Sequence, residues 1–403
     1  MSPRGLLVPV LLIFAFAPAP RAHALGIRVL HQDSEATARG EAFTATADRP
    51  SAIYYNPAGI IQLEGDHLQL GTYHIDINVT HRAPVTGQLT ETPDRLQSLA
   101  QLYYTHSLAS GRAAIGLGIY SPYGFASEWP DSSPFRSYAT KSQLQFLCIN
   151  PVAAVRVADG LTVAAGLTVN YGHADLRRGI IVPGDEFRVD AEGWSCGFTA
   201  GVLWQPAPRH SFGAMYRSAS TMTFEGDSHV RSQIPLPLAS GPARFDFNFP
   251  QHVMFGYSFR PNKDWNIEVN ADWTDWRDVG TVRFELASGD LFQTFNWQSA
   301  WTYKVGATRK FANGMALSAG YFFGQSATPD RNFNPAVPNI DLHVFSLGMT
   351  YRNERWDLGV TYNLGYGPTT RVRGSQPSAS GQSADGEYSF IGHGLSLAVG
   401  YRF

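Results

Sequence analysis

The last nine residues, LSLAVGYRF, alternate strictly. Leu395, Leu397, Val399, Tyr401 and Phe403 fall on one side of an extended chain, and Ser396, Ala398, Gly400 and Arg402 on the other. Successive strand side chains point to opposite faces, so this is a strand with one apolar face and one small or polar face. The pattern recurs along the chain. Trp301, Tyr303, Val305 and Ala307 alternate with Thr302, Lys304, Gly306 and Thr308; Trp265, Ile267, Val269 and Ala271 alternate with Asn266, Glu268, Asn270 and Asp272. Leu161–Val169, Trp194–Val202 and Trp356–Tyr362 behave alike, often with an aromatic residue at the end of the run. Such runs predict strands at about 66–81, 97–109, 112–121, 141–157, 161–177, 189–205, 210–225, 243–260, 264–286, 297–311, 315–324, 340–352, 355–373 and 388–403. Their connectors alternate in kind. Short turns such as Ala158-Asp159-Gly160 and Ala312-Asn313-Gly314 are interleaved with long polar stretches at 82–96, 122–140, 178–188, 226–242, 287–296, 325–339 and 374–387. Short turns on one side and long loops on the other, joining an even number of apolar-faced strands, are the signature of a transmembrane barrel with lipid outside and a polar lumen. The fold class predicted is all-β: a fourteen-stranded antiparallel barrel over residues 66–403.

Composition agrees. Charged residues are 16% of the chain, against roughly 25% in soluble domains, and aromatics are 13%. Residues 1–24 have the form of a signal peptide: Arg4, an apolar core from Leu6 to Ala17, and the A-x-A site Ala22-His23-Ala24. The core is shorter than the ~20 residues of a spanning helix. Its removal takes Arg4 and Arg21, leaving 29 basic against 33 acidic residues, a net of −4. That balance excludes a nucleic-acid partner, which needs a basic footprint. Export and barrel together predict the bacterial outer membrane. The two cysteines, Cys148 and Cys196, fall two strands apart. At ~4.8 Å per strand that is beyond the ~7 Å reach of a disulfide, so both are expected to be small apolar side chains.

Residues 25–65 precede the first strand. Ala36, Ala38, Ala42, Phe43, Ala45, Ala47, Ile53, Tyr54 and Tyr55 give them enough apolar surface to bury. A barrel wider than eight strands has a lumen to fill. The segment is therefore expected to fold back as a plug, the alternative being a periplasmic tail. Its end, YYNPAGI, cannot be a strand, because Pro57 offers no N–H and Gly59 weakens a ladder.

Three stretches carry a resemblance: ATARGEAFTATADRPSAIYYNPAGI, GLGIYSPYGFASEWP and FNPAVPNIDLHVFSLGMTYR. With the terminal aromatic of GYRF, they resemble the FadL-type outer-membrane transporters of long-chain fatty acids and other hydrophobic compounds, including the TodX-like branch. The resemblance implies an N-terminal hatch with the motif Asn56-Pro57-Ala58-Gly59. It also implies a third strand kinked at Tyr120, Ser121, Pro122, Tyr123 and Gly124, where the wall opens sideways. The residues support such a break, since Pro122 interrupts the alternation of Ile115, Leu117 and Ile119 with Gly116 and Gly118. Asn56 is expected to hydrogen-bond the kinked wall. Ligand contacts are expected at Tyr54 and Tyr55, and at Ile234, Leu236 and Leu238 of the fourth outer loop. The family can place a carboxylate partner near the top of the fifth strand, at His173, Arg177 or Arg178. Lys304 and Glu268 are further interior charges. The third outer loop, Arg178 to Arg188, is too short for the capture groove of the fatty-acid members, which leaves a smaller hydrophobe open.

The expected function is passive uptake of a hydrophobic molecule such as a fatty acid or hydrocarbon. The partners are that ligand, membrane lipid and lipopolysaccharide, and the barrel is expected to be a monomer. The rivals are a general porin and a lipid-modifying enzyme. No H-E-x-x-H, C-x-x-C, P-loop or local Ser/His/Asp motif occurs, so no catalytic residue, metal or cofactor is assigned.

Overall fold

The computed structural model describes residues 26–108, 111–236, 238–378 and 380–403. The expected leader, Leu25, Ser110 and Pro237 lie outside them. The fourteen strands are β1 (Asp66–Arg82), β2 (Gln97–Leu108), β3 (Ala113–Tyr120, then Phe125–Glu128), β4 (Lys141–Ala158), β5 (Leu161–Arg178), β6 (Glu186–Ala207) and β7 (His210–Arg217, then Ser220–Arg231). They continue as β8 (Gly241–Phe249, then His252–Phe259), β9 (Trp265–Thr274, then Thr281–Leu286), β10 (Leu291–Thr294, then Ala300–Lys310), β11 (Met315–Gly324), β12 (Leu342–Arg352), β13 (Trp356–Val372) and β14 (Gly386–Arg402). Each pairs antiparallel with its sequence neighbours. β14 closes on β1 from His67 opposite Arg402 to Arg82 opposite Glu387. Closure joins the first and last strands, the condition for strands in lipid, and leaves an unpaired stretch at the break in β3.

The two faces sort as the alternation requires. Leu395, Leu397 and Val399 point outward and are exposed, while Ser396 and Ala398 are buried; Trp301, Tyr303 and Val305 are outside, Thr302 and Lys304 inside. Trp194 and Trp204 share the outer face of β6, ten positions apart. At ~3.3 Å per residue and a tilt of ~40°, they bracket ~25 Å, the height of a barrel's apolar band. Cys148 is buried and Cys196 exposed, both as free thiols.

Several boundaries differ from the alternation. The expected loop 122–140 contains Phe125–Glu128, paired to β4. The continuous strand expected over 264–286 is broken at 275–280, where Trp276–Asp278 makes a 3-10 turn. β7 runs on to Arg231 and β10 begins at Leu291, shortening the expected loops. Breaks in β7, β8, β9 and β10 fall between the same ladder rungs. Trp276, Val279 and Trp297 at these breaks are buried, which alternation alone cannot signal.

The lumen holds residues 26–63. Asp33 caps the short helix Ser34–Ala38, accepting the Ala36 N–H at 2.9 Å. A second turn spans Ala52–Tyr55, and a 3-10 helix, Pro57–Gln62, follows with its proline in the first turn. Proline suits that place because its missing N–H would be unpaired there anyway. Nearly every side chain of the segment is buried. Inward glycines admit it: a Cβ on Gly116 or Gly118 would stand 2.8 or 2.9 Å from Ile53.

Candidate functional site

β3 is interrupted at 121–124, and the interruption changes the wall. Its ladder with β2 runs from Leu108–Ala113 to Leu102–Ile119 and stops. Beyond that level Phe125–Glu128 pairs with β4 only. Towards β2 the described contacts are between or from side chains: Gln97 Nε2 donates to Ala126 O at 3.3 Å, and Arg95 pairs with Glu128 at 2.7 Å. The wall therefore has a seam without backbone hydrogen bonds.

Buried backbone groups need partners, and those of the kink find them on the N-terminal segment. Val29 N–H donates to Pro122 O at 2.9 Å, and Gly124 N–H to Ile27 O at 3.0 Å. Gln32 Nε2 donates to Ser121 O at 2.8 Å. From β2, Gln101 Nε2 donates to His31 O at 2.8 Å and Tyr103 Oη to Gln32 O at 3.0 Å. Residues 27–32 thus back the seam from inside. Tyr54 and Tyr55 brace this run from behind, donating to Val29 O at 3.4 Å and to Leu30 O at 3.1 Å. Tyr54 also stands edge-on to Tyr120, 5.4 Å between centroids.

Asn56 does something other than expected. Its Nδ2 donates to Thr44 O and to Val202 O of β6, both at 2.9 Å, and its Oδ1 accepts the Ala58 N–H. It ties the segment to the wall at β6, away from the kink, because its side chain leaves the 3-10 turn towards Gly201, where a Cβ would meet Oδ1 at 2.4 Å. Pro57, Ala58 and Gly59 shape that turn and are buried. The link to the kink belongs to Ile27, Val29 and Gln32.

Above the segment lies an apolar cavity. Phe224, Phe245 and Phe284 stack along one side, centroids 4.8 and 4.7 Å apart. Phe125, Leu144, Phe187, Phe247 and Trp297 continue the lining, and Ile27 lies at one end. The FNPAVPN stretch contributes Asn334, Ala336 and Val337. It is pinned by Trp129 Nε1 to Pro335 O at 2.8 Å and by Ser127 Oγ to Ala336 O at 2.7 Å, so the outer half of β3 and this covering loop hold together. Clefts of this kind, mostly apolar with a few polar groups, are typical of small-molecule sites. These phenylalanines come from five strands and none formed a local motif; only the fold assembles them.

The charged candidates separate. Arg177 lines the cavity, but its guanidinium is taken by Asp175 at 2.8 Å. His173 pairs with Asp190 at 3.0 Å and does not line it. Arg178 lines the cavity, lies 5.2 Å above the Phe187 ring, and meets no carboxylate among the described residues. Ile234, Leu236 and Leu238 stand on the fourth outer loop and do not line the cavity. Tyr54 and Tyr55 are also outside its lining, beneath it. Glu268 accepts from Ala45 and Thr46 N–H at 2.8 and 2.9 Å, so it anchors the segment. Lys304 is bound to Asp272 at 2.5 Å. Cys148 is more than a filler, since Arg217 NH1 reaches its Sγ at 3.6 Å.

The short third loop is fixed by Asp185. Its carboxylate accepts the N–H groups of Ile180, Ile181 and Val182 at 2.7–2.8 Å and Arg136 at 3.0 Å. Burial alone would raise its pKa, but these donors outweigh that and hold it down to about 2.

Residues 16–403 match the model of the family described as outer membrane protein transport protein (OMPP1/FadL/TodX). The long-chain fatty acid transport proteins of Salmonella typhi and Escherichia coli K12 are each 23% identical over 399 and 412 residues, covering 89% of this chain and 88–89% of theirs. Among solved structures, a Pseudomonas aeruginosa FadL homologue superposes with a TM-score of 0.84 at 18% identity, covering 94% of this chain and all of its own. The Pseudomonas putida toluene transporter TodX gives 0.71 at 18% identity, covering 95% of this chain and 100% of its own.

Proposed function

The chain belongs to the family of outer-membrane transport proteins that includes FadL and TodX, a family of transporters and not of enzymes, and from that premise we propose how it carries its cargo. The cargo is a long-chain amphiphile with an anionic head. The ligand enters the phenylalanine-lined cavity from outside, its chain along Phe224, Phe245 and Phe284 and its carboxylate on Arg178. That arginine is half-buried and meets no carboxylate among the described residues, so an incoming anion gains a charge-assisted partner. Residues 26–65 are the hatch. Withdrawal of residues 26–32 uncovers the seam between β2 and the kinked β3, and the ligand leaves through the wall into the hydrocarbon. Each buried CH₂ favours that transfer by ~0.8 kcal/mol, so no energy source is required. The barrel works as a monomer set among membrane lipid and lipopolysaccharide.

The observation that carries this reading is the seam: a stretch of wall whose backbone bonds run to the lumenal segment instead of to the next strand. Uptake of a labelled long-chain fatty acid by cells lacking their own transporter tests it. Phe245→Asp places a carboxylate in the apolar stack and is expected to lower uptake at least about tenfold while the barrel still folds, the cost of a desolvated charge. Undiminished uptake in a folded Phe245→Asp barrel contradicts the proposed cavity.

A further inference from the structure

Below the cavity, against the kink, the lumen holds more positive than negative charge. Arg217 of β7, His252 of β8, Asp272 and Thr274 of β9, Lys304 of β10 and Arg28 of the segment form one layer. His252 pairs directly across the ladder with both Arg217 and Thr274. All are buried, His252 and Asp272 completely. Asp272 is the layer's one carboxylate, and Lys304 occupies it at 2.5 Å. Arg28 reaches the same oxygen at 3.5 Å and spends NH1 on Thr274 Oγ1 at 2.8 Å. Arg217 has only neutral partners, the Tyr120 hydroxyl and ring and Cys148 Sγ. Three cations therefore share one anion. The polar atoms point the same way: Arg28 Nε, Arg217 Nε and the one N–H of the neutral His252 ring have no acceptor, against two unpartnered acceptors, Asp272 Oδ1 and the other His252 nitrogen.

A buried charge without a counter-charge costs several kcal/mol even after relaxation. Water would satisfy the donors but supply no charge. An anion supplies both. We propose that Arg28, Arg217 and His252 form a buried site for one monovalent anion, and that its occupancy holds the hatch closed. Arg28 belongs to the run that backs the seam, and Arg217 sits on Tyr120, the last residue before the kink. An anion between them bridges hatch and wall, so whatever removes it weakens the grip of residues 26–32. The site suits a halide or a carboxylate; a ligand's own carboxylate, descending from the cavity, competes for it. The inference rests on residues 26–32 being the moving run.

The test uses the full-length barrel in detergent, with bromide as the probe and gluconate at equal ionic strength as its control. Anomalous scattering from crystals grown in bromide is expected to place one ion within hydrogen-bonding distance of Arg217 and Arg28. Amide exchange at Gly124 is expected to slow about tenfold in bromide, as binding to one state requires. Arg217→Met abolishes both effects, and Arg217→Lys keeps a weaker one. Dodecanoate, but not dodecanol, then removes the bromide peak if the ligand's carboxylate uses the site; a peak that survives dodecanoate assigns it to inorganic anions. No ion at the site, with exchange equal in bromide and gluconate, overturns the proposal. Because these readouts follow anion occupancy and not uptake, their failure leaves the transport reading standing, while undiminished uptake in the Phe245 test, which overturns the proposed cavity, leaves the bromide readouts unchanged.

Discussion

Residues 26–32 and residues 33–63 are parts of one buried segment, yet the barrel grips them differently. The first run is held chiefly by neutral hydrogen bonds: two backbone pairs at the kink, Gln32 on Ser121, and Gln101 and Tyr103 of β2 on the carbonyls of His31 and Gln32. Its single ion pair with the wall, Arg28 to Asp272, is long and shares a carboxylate with Lys304. The second run is bolted by charge. Arg49 meets Asp33 at 3.3 Å and Glu35 and Asp357 at 3.0 Å, and Glu268 holds Arg39, Ala45 and Thr46. Neutral bonds exchanged for similar bonds net only ~0.5–1.5 kcal/mol each, whereas breaking a buried pair costs ~3–5. The contrast is what the proposed motion requires, a front run held more weakly than the rest.

The largest effect should follow from unbolting the back. Arg49→Met leaves the buried Asp33 without a cation and Glu35 and Asp357 with Arg352 alone, and is expected to destabilise the barrel by about 3 kcal/mol, seen as earlier loss of heat-resistant mobility in detergent and as raised pore conductance. Glu268→Gln keeps the shape but leaves Arg39 unpaired; a loss of about 2 kcal/mol is expected in the same assay. Gln32→Ala touches only the front. It removes one bond to the kink, about 1 kcal/mol, so Gly124 amide exchange should quicken about fivefold with overall stability little changed and uptake not reduced. If Gln32→Ala destabilised the barrel as much as Arg49→Met, the division into two runs would fail.

The smallest effect concerns the third loop, which belongs to neither run. Asp185 titrates at about 2, below its ordinary 3.8, so its contribution is complete above about pH 4 and is lost as pH falls through 2. Proteolysis or exchange of residues 179–185 should be flat from pH 5 to 8 and rise only in strong acid. Asp185→Asn should bring that mobility to neutral pH while leaving the front and back of the segment alone.

The sequence carried the barrel well because a lipid-facing strand writes its own period: the outward residues at 395, 397 and 399 and at 301, 303 and 305 stand where alternation puts them. Pro122 likewise marked the kink. What it could not carry is anything assembled from distant strands. The grip of Glu268 on Thr46 and the phenylalanine stack depend on register and strand order. So does the sorting of Arg177 from Arg178: neighbours in sequence, one is neutralised by Asp175 and the other laid on Phe187. Asn56 misled for a related reason. A motif shows that a turn is needed, not which strand the turn faces.

Two cysteine tethers compare the runs directly, in a chain with Cys148 and Cys196 replaced by alanine. Arg28 and Tyr123 form an isolated antiparallel pair flanked by hydrogen bonds, a spacing of ~4.5 Å between Cα atoms that a disulfide spans. At the back, a Cβ on Gly359 would lie 3.3 Å from that of Ser34. The measurement is fatty-acid uptake, oxidised over reduced, for each pair. Arg28→Cys with Tyr123→Cys should lose at least about tenfold on oxidation and recover on reduction, as closing the moving step requires, while Ser34→Cys with Gly359→Cys should be unaffected. Undiminished uptake through an oxidised front tether, or equal loss through both, would contradict a hatch that opens by withdrawing residues 26–32.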